Sequence, residues 1–148
     1  MWHNQLSGTL SSFLNTQCYL HNFDITSNHL TGTLPPEILS LPNLENLYLY
    51  FYSCLKSNNL TGTITSNISS LNVYFLDLGD NKFYGSIPST IGVLQKLKEI
   101  HLGINKLNGT IPDVFGTLTY LTSIDLSFNI LQGTIPPSIS FLYKLNTL

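Results

Sequence analysis

The sequence predicts a repeat solenoid, a coil of short parallel strands stacked along one axis. Three observations predict it. Glycines fall at Gly8, Gly32, Gly62, Gly85, Gly109 and Gly133, at intervals of 24, 30, 23, 24 and 24 residues. An asparagine stands four residues before each: Asn4, Asn28, Asn58, Asn81, Asn105 and Asn129. Ahead of the asparagine, apolar residues alternate with others at period two, the pattern of a half-buried strand. The pattern reads Leu97, Ile100, Leu102, Asn105 in one unit and Leu121, Ile124, Leu126, Asn129 in the next.

Each element of the unit has a physical reason. A strand of four or five residues cannot stand alone. Stacked at about 4.8 Å per coil, it joins a parallel sheet whose inward residues form one core. The asparagine comes where the chain turns off the strand, and an inward amide can bond the backbone of its own turn and of a neighbouring coil. The six asparagines are therefore read as a structural ladder. The glycine allows a positive φ or a close approach between coils. Proline follows three residues after the glycine in four of the six units, at Pro35, Pro88, Pro112 and Pro136. Stretches such as ILSLPNL, VFGTLTYL and ISFLYKL then return over the convex side as 3₁₀ turns or short helix. The expectation is one continuous sheet with one strand per unit. Leu102, Leu107, Ile124, Leu126, Leu131, Asn81, Asn105 and Asn129 are expected to be buried.

The units are 1–19 (partial), 20–43, 44–73, 74–96, 97–120 and 121–144, and residues 145–148 open another. Two are irregular. Unit 74–96 reads one residue short, with Tyr74, Leu76 and Leu78 as its apolar set. Unit 44–73 carries a six-residue insertion, with its strand at Leu47–Leu49 or at Ser53–Leu55. The run LYLYFYSCL (47–55) has the composition of an aggregation-prone strand. The chain begins and ends inside a repeat, so it reads as part of a longer array or a truncated product. Leu6, Leu10, Leu142, Leu145 and Leu148 are expected at uncapped ends that favour self-association.

Composition excludes several function classes. Of 148 residues, 9% are charged, and 6 Lys+Arg against 8 Asp+Glu give a net charge of −2. Nucleic-acid binding calls for a basic footprint that is absent here. No apolar run approaches the roughly 18 residues of a membrane span, and MWHNQLSGTLSSF does not read as a signal peptide. Cys18 and Cys54 make neither a disulfide framework nor a zinc site. No phosphate loop, H-E-x-x-H or triad-like setting occurs, so the chain reads as a non-enzyme without cofactor or metal.

The unit L-x-x-L-x-L-x-x-N-x-L-x-G-x-I-P resembles the 24-residue plant-type leucine-rich repeat. LTYLTSIDLSFNILQGTIPPSISFL (118–142) is close to the consensus of receptor-like kinase and receptor-like protein ectodomains. The resemblance implies a curved right-handed coil with strands on the concave face and 3₁₀ or loop segments on the convex face. It further implies recognition of a peptide, protein or glycan in cell-surface signalling or defence, the parent protein being extracellular or a plasma-membrane ectodomain. The second reading is a secreted inhibitor resembling polygalacturonase-inhibiting proteins, and the third a non-functional structural fragment.

Candidate binding residues lie on the concave face, between inward apolar positions. Asp24, Tyr48 or Cys54, Asp77, His101 and Asp125 form one row, with His101 between Asp77 and Asp125. A metal-binding or pH-sensitive trio is one reading of these three, and an ordinary polar ladder the other. A second row holds Ser27, Ser57, Asp80, Ile104 and Phe128. The ligand-contact set drawn from both rows and their neighbours is Phe75, Asp77, Glu99, His101, Ile104, Asp125 and Phe128. Tyr48, Phe75, Ile104 and Phe128 are read as exposed apolar groups, and aromatic anchors carry much interface energy. Asn59, Asn67 and Asn108 open N-x-Ser/Thr sequons away from the concave strands. His3, His21 and His29 are expected on solvent.

Overall fold

The computed structural model describes residues 1–12, 19–49 and 58–148. Among them the chain forms the strands β1 (Ser7–Thr9), β2 (Asn22–Asp24), β3 (His29–Thr33), β4 (Asn46–Tyr48), β5 (Asn59–Thr63) and β6 (Phe75–Asp77). They continue as β7 (Lys82–Ser86), β8 (Glu99–His101), β9 (Lys106–Thr110), β10 (Ser123–Asp125) and β11 (Ile130–Gln132). Between units run 3₁₀ turns at Ile38–Ser40, Ser66–Ser70, Ser89–Val93, Phe115–Thr117 and Pro137–Phe141. No helix among the described residues is long and apolar enough to cross a membrane.

The strands form two parallel sheets rather than the expected one. Strands β2, β4, β6, β8 and β10 make the first, with Phe23, Leu47, Leu76, Ile100 and Ile124 in one inward row. Strands β1, β3, β5, β7, β9 and β11 make the second. The extra sheet arises because the chain stays extended past the asparagine through x-Leu-x-Gly-Thr. In β1, β3, β5, β7 and β9 a glycine with positive φ sits inside the strand and does not end it. The sheet is also staggered, Gly32 pairing with Leu60 and Thr33 with Thr61. At Gly32 a Cβ would stand 2.9 Å from the Thr9 methyl, so close approach and a φ of 81° both call for glycine.

The irregular units resolve differently from their sequence reading. Val73 is fully buried and Tyr74 is half-exposed. Val73, Leu76 and Leu78 thus keep the regular apolar-x-x-apolar-x-apolar spacing, and the missing residue falls between the buried Leu71 and Val73. In the long unit the strand lies at Asn46–Tyr48, in register with β2 and β6. The remainder of the aromatic run, both cysteines, the Ser53–Leu55 alternative and Ser57 lie outside the described residues.

One apolar core runs the length of the coil, and the asparagines line its edge. Asn81 is buried, accepts from Leu60 N–H at 3.1 Å, and donates to Gly79 O at 2.7 Å and Leu49 O at 3.2 Å. Asn58 repeats the arrangement with Leu30 N–H, Ile25 O and Leu49 O. Each such asparagine therefore ties its own coil to the preceding one. The expectation of uniform burial needs correction: Asn105, Asn129, Leu126 and Leu131 are half-buried and Asn4 is exposed. The first and last coils are packed on one side only, and burial declines toward them. Of the residues expected exposed at the ends, Leu142 is buried and Leu10 and Leu145 are half-buried. Leu142 closes the last 3₁₀ turn, donating to Ile139 O at 3.0 Å, and its side chain joins the core.

Candidate functional site: the concave face

The first sheet holds its inward apolar row by alternation, so the intervening residues point the other way. Asp24, Tyr48, Asp77, His101 and Asp125 are consecutive partners across five strands. They line a groove of about 610 Å³ together with Trp2, His3, Thr26, Gly79, Gly103 and Ile104. This groove makes the outer side of the first sheet its concave face.

Each aspartate in the row closes the turn after its own strand. Asp24 Oδ1 accepts from Thr26 N–H at 2.9 Å and also from the Thr26 hydroxyl. Asp77 Oδ1 accepts from Gly79 N–H at 3.0 Å, and Asp125 Oδ1 from Ser127 N–H at 2.9 Å. Aspartate is suited to this position because its short carboxylate reaches the backbone two residues on. One oxygen of each is thereby used locally, and both Asp24 and Asp125 line the groove.

His101 interrupts the aspartates. Its Nδ1 lies 3.4 Å from Asp77 Oδ2, and its Nε2 lies 3.4 Å from Ser123 Oγ and 3.8 Å from Glu99 Oε2. The hydrogen bond to Asp77 raises its pKa above the ordinary imidazole value. Partial burial opposes the shift, and the charges of Asp77, Glu99 and Asp125 add to it. Tyr48 has a raised pKa as well, first through burial and then through the negative charges of Glu99, Asp24 and Asp77. The local field is therefore negative.

Several site residues differ from their sequence reading. Asp77 is only 7% exposed, covered in the row by its neighbours and engaged by His101. It acts on the groove through its charge and through His101 rather than as an open carboxylate. His101 leans on Asp77, Glu99 and Ser123, not evenly between Asp77 and Asp125. Among the described residues no group of three or more His, Cys, Asp or Glu side chains is arranged to hold a metal ion. Tyr48 and Phe75 are half-buried because their rings stack, with centroids 6.3 Å apart and planes at 27°. Ile104 and Phe128 are exposed, at 49% and 82%. His3 and His21 are exposed, and His21 faces Glu45 at 3.3 Å; His29 is half-buried at the start of β3. Asn59, Asn67 and Asn108 are exposed, on β5, on a 3₁₀ turn and on β9, so none lies on the concave strands.

Sequence reasoning missed Trp2, His3 and the two groove glycines. Trp2 and His3 stack edge to face at 5.1 Å and wall one end of the groove. A Cβ at Gly103 would stand 2.7 Å from Asp125 Oδ2, so this glycine makes room for the carboxylate. The available signal was the small residue at this place in neighbouring units, Gly79 and Gly103 beside Thr26 and Ser127.

Stacked two-strand coils, an asparagine ladder and a grooved parallel sheet define the class of repeat solenoids. The chain belongs to the leucine-rich-repeat family: the Leucine Rich Repeat family model matches residues 19–41, 72–94, 96–118 and 120–142, more than half of the chain. It is similar to Receptor-like protein 39 of Arabidopsis thaliana, 40% identical over 101 residues, which cover 67% of this chain and 11% of that protein. The chain thus spans about a tenth of the length of the curated relatives it matches. Among solved structures it is similar to the plant peptide hormone receptor RGFR1 in complex with RGF2. That match has a TM-score of 0.92 and 29% identity, covering 99% of this chain and 23% of that one. It is also similar to a plant ice-binding protein, with a TM-score of 0.78 and 30% identity over 95% of this chain and 44% of that one.

Proposed function

We propose that this chain is part of the recognition surface of a plant receptor-like protein, displayed outside the cell, and that its concave face binds an extended peptide carrying Lys or Arg. The observation that carries this reading is the row Asp24–Tyr48–Asp77–His101–Asp125. It places acidic and aromatic groups on consecutive strands along one groove. Negative potential favours basic ligand groups, and the aromatic rings supply area that can be desolvated. A peptide laid across the strands meets a new rung about every 4.8 Å. Contact must span several coils, since a standard interface takes about 800 Å² from each partner.

The likenesses named above include a peptide hormone receptor and an ice-binding protein, so the fold alone does not choose a ligand. The second sheet is the less suitable face for an extended flat contact. Its Thr and Ser rows are broken by exposed Lys82, Tyr84 and Lys106 and by the sequon residues Asn59 and Asn108. A glycan at either sequon would cover that face and leave the concave one open.

The test is fluorescence anisotropy of the 148-residue chain with two labelled decapeptides, alternating Lys-Leu and alternating Glu-Leu. The Lys peptide is expected to bind, more weakly as salt rises, and the Glu peptide is not. Asp125→Lys should abolish that binding, while Lys96→Ala and Thr117→Ala on the convex side should not. Equal binding of both peptides, or loss of binding only in the convex variants, removes the concave acidic row as the site.

A further inference from the structure

We propose that Ile104 and Phe128 form an apolar anchor for the residue flanking the basic side chain of the bound peptide, displayed at a cost to the stability of the fold. This rests on the reading above and adds a second specificity element to it.

Before the ladder asparagines Asn4, Asn28, Asn81, Asn105 and Asn129 the backbone is left-handed: His3 at φ 52°, Ser27 at 57°, Asp80 at 43°, Ile104 at 53° and Phe128 at 50°. The repeat imposes this conformation through hydrogen bonds between coils. Asp80 N–H donates to Gly103 O at 2.9 Å and Asn81 N–H to Ile104 O at 3.1 Å. One coil on, Ile104 N–H donates to Ser127 O at 2.9 Å and Asn105 N–H to Phe128 O at 3.2 Å. Left-handed backbone suits glycine, asparagine and aspartate, and it strains a β-branched residue most. Asp80 is a low-strain choice in the same column.

Ile104 and Phe128 are the opposite choice, and folding gains little from them. Ile104 is 49% exposed and Phe128 82% exposed, so neither contributes a full share of core burial. Two exposed apolar side chains on adjacent coils, each on strained backbone, fit a binding role better than a folding role. Their position selects the partner's chemistry. Ile104 lines the groove with Asp77 and Asp125, and Phe128 holds the same repeat position one coil on, before Asn129. A peptide whose Lys or Arg meets the carboxylates brings its neighbouring side chain over Ile104 and Phe128. A Leu, Ile or Phe there is desolvated, whereas a Ser is not.

The experiment compares alternating Lys-Leu with alternating Lys-Ser decapeptides by anisotropy on the 148-residue chain, and adds thermal melting. The parent should bind Lys-Leu roughly tenfold more tightly than Lys-Ser. Ile104→Asn and Phe128→Asn should remove most of that preference and leave Lys-Ser binding within about twofold. Ile104→Asn should also melt higher than the parent, because asparagine relieves the strained backbone. Equal affinity of the parent for the two peptides overturns the anchor. An undiminished Leu preference in both variants, or an Ile104→Asn variant that melts at or below the parent, does so too. If both peptides bind equally and Asp125→Lys weakens both, the anchor falls and the acidic-row reading stands. If neither peptide binds, both fall.

Discussion

Replacing Asn81 with alanine isolates what the asparagine ladder contributes to the solenoid. Asn81 is buried, and its amide joins Leu60 N–H, Gly79 O, Leu49 O and Leu78 O. Two of these groups keep another donor after truncation. Leu49 O still accepts from Asn58 Nδ2 at 3.2 Å, and Leu78 O from Asn105 Nδ2 at 3.0 Å. Leu60 N–H and Gly79 O have no other side-chain or inter-coil partner among the described residues. Each stranded buried group costs about 1–3 kcal/mol, so the loss is about 2–6 kcal/mol. That is a large part of the roughly 5–15 kcal/mol by which a domain is stable. At about 2–4 °C per kcal/mol for a chain of this size, the melting temperature should fall by roughly 10 °C. Asn4→Ala is the matched control, because the exposed Asn4 side chain bonds Trp2 O and Met1 O within its own turn, and its loss should cost no more than about 0.5 kcal/mol. Differential scanning calorimetry reads both. If Asn81→Ala melts within about 2 °C of the parent, or Asn4→Ala falls as far, the ladder does not carry the stability assigned to it.

Two further predictions concern the groove. Gly103→Ala needs no left-handed backbone, and its Cβ would press on the far end of Asp125, so stability should change by less than about 1 kcal/mol. Lys-peptide affinity should drop in the same variant, and unchanged affinity would show that the carboxylate is not where the ligand needs it. His101 has a pKa raised in the folded state, so its pairing with Asp77 stabilises fully below the ordinary histidine range and is lost as pH rises through the raised value. Melting curves between about pH 5 and pH 8 should therefore show a pH-dependent increment that His101→Gln lacks. Protonated His101 also offsets the negative row, so Lys-peptide binding should strengthen over the same rise in pH; a slope identical in His101→Gln would refute this.

Period and spacing made most of the fold legible. Leu97, Ile100 and Leu102 announce strand, inward face and turn, and all three are fully buried. The second sheet was not legible for a physical reason. A glycine at positive φ reads as a break in sequence, yet here it sits in a strand under the preceding coil's threonine. Val73 and Tyr74 are adjacent apolar residues that composition does not separate, and the smaller Val73 is the one buried. The row of Asp24, Tyr48, Asp77, His101 and Asp125 followed from alternation. The groove's far wall did not, since Trp2 and His3 reach it through coil stacking rather than through any repeat position.

The aspartates of that row were open to two readings, polar turn residues or ligand contacts, and the geometry supports a share of each. Asp125 Oδ1 holds Ser127 N–H at 2.9 Å, which any residue with a correctly placed oxygen can do. Its charge and second oxygen are not needed for that bond. Asp125→Asn separates the two roles, because the amide oxygen keeps the turn bond while the charge is removed. A neutral acceptor is weaker than a charged one, so stability should fall by no more than about 0.5–1 kcal/mol. Binding of the alternating Lys-Leu peptide should weaken, and the remaining binding should depend less on salt, because one ion pair screened by salt is gone. Asp125→Lys loses both the bond and the sign of the charge, so it should lose stability and binding together. Should Asp125→Asn lower the melting temperature and leave both the peptide affinity and its salt dependence unchanged, Asp125 serves the turn alone, and the ligand's basic group must be met elsewhere on the row.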